Sequence, residues 1–265
     1  MPTVTLLEKA YGVFSQENIE QKLSSLCKGL KVKVKFQDKT ELNWVKVEIT
    51  GEDQTAALQL LDREIGSAPV SPDNIRKFSV LCGRIIDSGK SATELRVDVG
   101  VFEPKVMYAN IPLQRLQAQL ADGERLPLKS LIELYCLHDN MPLQVKVLDA
   151  ELSSEKEAFE VELSEHQLGL FTSWLRAFID RLMVLGAQLQ DVEHAINASK
   201  HFRDVTKIES LGLLEHAILC KLGTDAVGLI PAMGPYLSTV TFASFSPRKI
   251  LRIVNRSTFG TNEYI

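Results

Sequence analysis

The densest group of reactive side chains is the run LLEHAILCKLGTD, which brings Glu215, His216, Cys220, Lys221 and Asp225 close together. A cysteine beside a histidine is the pattern of an activated thiol nucleophile. On a strand, however, His216 and Cys220 share their side with Leu214, Ile218 and Leu222, which makes it a core face. Residues four apart on a strand are also roughly 13 Å from each other. A buried, hydrogen-bonded histidine is therefore expected, not a catalytic dyad. CLHDN (136–140) offers Cys136, His138 and Asp139, with no second cluster to complete a metal shell. GTDAVGLIPAMG is neither a Walker loop nor a GxGxxG turn, and its Gly223, Gly228 and Gly234 suit tight turns and close helix packing. No H-E-x-x-H, G-x-S-x-G or H-x-E motif occurs. Neither catalysis, nor a metal, nor a cofactor is expected.

Cations are the second source of chemistry. In KVKVKF, Lys31, Lys33 and Lys35 alternate with Val32, Val34 and Phe36, and in NWVKVEI, Trp44, Lys46 and Glu48 lie opposite Val45, Val47 and Ile49. If the valines of the two strands enter one core, the other face carries four lysines and a tryptophan. A ring among cations holds single-stranded nucleic acid without reading its sequence. The alternative is an ordinary solvated sheet face, with Trp44 capped by a neighbouring domain. Near the C-terminus Arg248, Lys249, Arg252 and Arg256 form a basic arm, suited to phosphate contact or simply to solubility. The formal net charge is −4, so any attraction for nucleic acid must be local.

The elements that position these groups fall into three stretches. Residues 1–67 read as strand, helix, strand, strand, helix, the opening of a ferredoxin-like split βαβ unit. Its first helix is capped by Ser15, has Ile19, Leu23 and Leu26 on one face and stops at Gly29. SAPVSPDNIRK (67–77) is a linker. Residues 78–165 read as five short alternating strands, with a bend or bulge at Gly100, a helical insertion LPLKSLIELYCLHDN and a polar turn at Ser153–Lys156. Residues 166–265 open with a long helix whose Phe171, Trp174, Leu175, Phe178, Ile179 and Leu182 follow helical spacing, and continue as a second βαββαβ order. That stripe suits a core; if it is partly exposed, the Phe171/Trp174/Phe178 helix is a homodimer seam.

The strand order within 78–165, with VDVG closing the second strand, IPL after the third and a final VKV hairpin, resembles the S-one-type RNA-binding domain, an oligonucleotide-binding barrel. Such barrels bind along their second and third strands and flanking loops. Carried onto this sequence, the resemblance implies a face drawing on Arg84, Lys90, Arg96, Lys105, Tyr108 and Arg115. The exposed rings those domains carry near the first turn are missing, since DSGKSATEL stands there. The chain as a whole, through KFSVLCGRIIDSGKSATELRVDVGVF, IPLQRLQAQLADG and LGLLEHAILCKLGTDAVGLIPAMG, resembles an uncharacterised archaeal protein family, which implies an archaeal cytoplasm and a link to information processing.

Length, an apolar content of 45% and a charged content of 24% are those of a globular protein. Four scattered cysteines (Cys27, Cys82, Cys136 and Cys220) suit reduced thiols, and no stretch is long and apolar enough for a membrane span. The expectation is an α+β, multi-domain cytoplasmic protein, a central S-one-like barrel flanked by two ferredoxin-like modules. Its expected role is binding RNA or a ribosomal subunit without catalysis. The rival is a protein-interaction adaptor of transcription or translation complexes whose barrel has lost RNA binding.

Overall fold

The computed structural model describes residues 3–12, 16–148 and 157–254. Ser15, the turn at Ser153–Lys156 and Arg256 lie outside the described residues.

The first sheet contains β1 (Thr3–Lys9), β2 (Val32–Lys39) and β3 (Trp44–Gly51) in the antiparallel order β1-β3-β2. Helices α1 (Gln16–Leu26) and α2 (Gln54–Glu64) cover one face, burying Ile19, Leu23, Ala57 and Leu61 against Val34, Val45, Val47 and Ile49. This is the split βαβ pattern without a full fourth strand. The place beside β1 is taken by the start of the linker, where the Leu7 amide donates to the Gly66 carbonyl (3.0 Å) and the Ala68 amide to the Thr5 carbonyl (2.9 Å).

The linker then meets the barrel, built from β4 (Val80–Ile86), β5 (Glu94–Val101), β6 (Met107–Pro112), β7 (Pro142–Val147) and β8 (Ala158–Leu163). It closes in the order β4-β5-β6-β8-β7, with β6 and β8 parallel and the other pairs antiparallel. That is the Greek-key topology of oligonucleotide-binding barrels. Alternation fills the interior with Ile85, Leu95, Val97, Ala109, Ile111, Val145 and Val161. The β5–β6 register slips between Asp98 and Val101, and Gly100 takes φ +79° there, a conformation that favours glycine. The sequence expects the bulge at this residue.

Helices α3 (Leu113–Leu120) and α4 (Leu128–Tyr135) fill the insertion between β6 and β7, and α5 (Glu165–Ala177) follows the barrel. The Ser164 hydroxyl caps α5 by accepting from the Gln167 amide (3.1 Å). The helix ends sooner than its apolar spacing suggests, because Phe178 turns into the left-handed region at φ +54°. Leu182 consequently belongs to β9 (Arg181–Leu185) and not to the helix.

The last sheet is a complete split βαβ unit. It adds α6 (Leu189–Ala198), β10 (Val205–Ser210), β11 (Glu215–Cys220), α7 (Ala226–Met233) and β12 (Thr241–Phe245), and its all-antiparallel order is β10-β11-β9-β12. Helix α8 (Pro247–Ile253) follows. One sheet face packs on α6 and α7 through Leu182, Val184 and Ile218. The other, through Met183, Leu185, Ala217 and Phe245, joins the barrel core. Phe171 and Trp174 lie in that shared core, their rings 6.5 and 5.3 Å from the Phe245 ring. Phe171 and Trp174 are thus core, the reading their spacing suits, and are not open to a second copy. Only Phe178 of the three is exposed, and the Arg248 guanidinium sits 5.4 Å from its ring.

Candidate nucleic-acid interface

Two of the expected RNA-contacting residues are interior. Trp44 begins β3 on the same face as Lys46, but the barrel covers that end of the sheet and leaves the indole 0% exposed. Its Nε1 donates to Asp98 Oδ1 (3.2 Å), while Lys9 Nζ pairs with Asp98 Oδ2 (2.6 Å) and lies 4.8 Å from the indole. Asp98 accepts a third bond from the Gly100 amide (3.0 Å), so the bulge and the anchor are one device. A buried carboxylate holding three donors is well compensated. Trp44 is a fastener between sheet and barrel, as the capped alternative has it, and is not a stacking surface.

Arg84 on β4 performs the same task on a larger scale. Its guanidinium pairs with Glu8 of β1 and, at 2.8 Å, with Glu215 of β11, so one buried cation ties all three sheets together. Tyr11 Oη donates to Glu215 Oε1 (2.5 Å), and the Leu213 amide donates to Glu8 Oε1 (3.2 Å). Leu213 and Leu214, from the loop between β10 and β11, are packed into the core of the first sheet. A Cβ at Gly212 in that loop would meet the Glu215 carboxylate and the Arg84 guanidinium, so a side chain there must displace this pair. Burial pushes the Glu8 carboxyl up to about 7, against the opposing pull of Arg84. Composition alone gives no sign of this junction. The signal in the sequence is Glu8 and Glu215 standing at otherwise apolar strand positions.

The barrel face implied by the family resemblance is present, and its cations are occupied. Lys90 pairs with Asp87 (2.5 Å) and Lys105 with Glu157 (2.8 Å), while Arg96 lies 3.8 Å from Asp87 and 3.9 Å from Glu94. Arg115 is 3.9 Å from both Glu160 and Glu162. Arg96 also covers the Tyr108 ring at 5.3 Å. These contacts are on the surface and individually weak, but they leave the face nearly neutral.

Three lysines remain open on the outward face of the first sheet. Register places Lys35 opposite Glu48, Lys33 opposite Thr50 and Lys46 between Asp38 and Thr5, with the valines turned to the helices. None of Lys33, Lys35 and Lys46 is ion-paired among the described residues. Lys31 lies just outside the strand and pairs with Glu52 (2.8 Å). On α8, Arg248, Lys249 and Arg252 are exposed and likewise without an ion pair among the described residues.

His216 and Cys220, first weighed as a catalytic pair, are both buried. His216 is buried, its Nε2 donating to the Ala187 carbonyl (3.1 Å) and its Nδ1 accepting from Ser210 Oγ (3.2 Å), and burial holds its pKa down at about 4. Burial pushes the Cys220 thiol up to about 11, away from thiolate chemistry. Leu222, expected on the same inward face, is exposed because β11 ends at Cys220. Among the described residues no group of His, Cys, Asp and Glu is placed to hold a metal ion. No helix among them is long and apolar enough to cross a membrane.

The sequence carries the DUF2110 N-terminal domain over residues 3–71 and the DUF2110 C-terminal domain over residues 179–259, with the barrel between them. No curated protein matches the chain. Among solved structures, it is similar to the intact alpha subunit of aIF2 from Pyrococcus abyssi, at 9% identity and a TM-score of 0.25, over 64% of this chain and 97% of that one. A likeness of that size places no constraint on function.

Proposed function

We propose that this DUF2110-domain protein is a non-catalytic RNA- or ribosome-binding protein of the translation machinery. It grips phosphates with the lysine face of its first sheet and the cations of α8. The observation that carries this reading is the open row of Lys33, Lys35 and Lys46, a patch without ion pairs on a chain of net charge −4. The buried ties through Arg84 and Asp98 hold that sheet on an oligonucleotide-binding-type barrel, so separated basic patches act as parts of one body. Modest sites linked in this way reinforce each other. Binding rests on counterion release and weakens steeply with salt. Fluorescence anisotropy with labelled structured and single-stranded RNA at low and moderate salt tests it. Micromolar or tighter binding that weakens with salt is expected, and no binding at low salt refutes the proposal.

One observation favours a second reading. The ion pairs of Lys90, Arg96, Lys105 and Arg115 leave the customary ligand face of the barrel nearly neutral, which suits an adaptor that meets protein there. Recovery of ribosomal subunits, or of transcription or translation proteins free of RNA, with the chain from its native cell separates the two.

A further inference from the structure

We propose that Phe78, at the mouth of the barrel, is a stacking platform for an unpaired base of single-stranded RNA, flanked by cations that take the neighbouring phosphates. The inference rests on the RNA-binding reading above and adds a contact site on a different module.

Phe78 is 61% exposed, although most large apolar side chains of the barrel are buried. Its backbone lies in the left-handed region at φ +66°, which is costly for a bulky side chain and persists where the surroundings enforce it. Here they do. The Phe78 amide donates to the Val147 carbonyl (2.9 Å), the Val147 amide to the Ser79 carbonyl (3.0 Å), and the Ser79 amide closes the turn on the Arg76 carbonyl (3.0 Å). Ser79 Oγ donates to the same Arg76 carbonyl (2.7 Å). The turn therefore extends the β4–β7 ladder and displays the ring outward.

The surroundings of the ring specify an anion with flat faces. Lys77 Nζ lies 5.4 Å and Lys146 Nζ 5.7 Å from its centroid. Arg76 is exposed beside them, and Lys146 lies 3.9 Å from Glu162. Val80, 54% exposed, extends the apolar strip along β4. An aromatic ring among cations suits a polyanion whose bases are free to stack, because every base has a π-face. A duplex hides those faces, so the ligand must be single-stranded. Phosphate attraction alone would not require an exposed ring or a strained turn.

The test uses the whole chain and two labelled probes at low salt, an oligouridylate and an RNA duplex of equal length, read by fluorescence anisotropy. Phe78→Ala and Phe78→Leu are expected to weaken oligouridylate binding about ten-fold, to leave duplex binding unchanged and to keep the thermal midpoint, while Phe78→Trp retains affinity. Unchanged oligouridylate affinity in Phe78→Ala, or an equal loss on both probes, overturns the inference while the RNA-binding reading stands. A wild-type chain that binds neither probe overturns both.

Discussion

Trp44 and Lys46 stand two residues apart on one face of one strand, and they belong to different parts of the molecule. The Trp44 end of β3 is enclosed by the barrel, where Asp98 collects the indole, the Lys9 ammonium and a backbone amide. The Lys46 end faces solvent together with Lys33 and Lys35. A cation or an aromatic ring on a sheet face is a fastener where another module lands and a contact where none does. Arg84 is the same lesson on the barrel, since it lies between Glu8 and Glu215 while Arg96, on the next strand, reaches solvent.

If the enclosed region is a fastener, breaking it should cost stability and not merely RNA affinity. The largest effect is expected for Arg84→Met, which leaves Glu8 and Glu215 buried without their cation and costs about 3–5 kcal/mol. Urea denaturation measures it. A loss that small surface changes could match would mean that the three sheets do not depend on this junction. Trp44→Ala follows at about 3 kcal/mol, from lost volume, because Asp98 keeps its bonds from the Lys9 ammonium and the Gly100 amide. An unchanged urea midpoint with weakened single-strand binding would instead place Trp44 on the open face.

A finer test uses pH. Folded Glu8 keeps its proton up to about 7, whereas the unfolded carboxyl loses it near 4.5, so this residue makes stability fall as pH rises between those values. His216 acts in the opposite sense. Its folded value of about 4 lies below the ordinary 6.5, so the unfolded chain binds the proton first and stability rises across that window. The two slopes oppose each other between 4.5 and 6.5. Glu8→Gln should therefore leave a stability that rises with pH there, and His216→Asn one that falls. Urea midpoints taken across the window read both, and parallel profiles in the two variants would contradict the assignment.

The sequence carries most of the fold, because period-two alternation and helix punctuation are local. The five barrel strands, the bulge at Gly100 and the second βαββαβ order all follow from such patterns. What it could not carry depends on which surfaces meet. Alternation places Trp44 outward from its own sheet correctly, yet is silent on the barrel that covers it. The outward-facing Arg84 reads as a ligand contact until Glu8 and Glu215 arrive from strands 76 and 131 residues away. The aromatic stripe after His166 predicts a buried helix face, but overruns its end because the left-handed turn at Phe178 has no glycine to announce it. Phe78 is illegible for a related reason, since a ring at a strand entrance has the pattern of core.

The most direct test of the account is the salt dependence of oligouridylate binding by the wild-type chain and by the Lys33→Ala/Lys35→Ala/Lys46→Ala variant. Lys33 and Lys35 are exposed and Lys46 half-buried, with no ion pair among the described residues to lose, so the stability of the variant in urea should stay within about 1 kcal/mol of the wild type. If the lysine row grips phosphate, the slope of log affinity against log salt becomes shallower by about two, three contacts each contributing about 0.7 on a single strand. An identical slope in the two proteins would contradict the account.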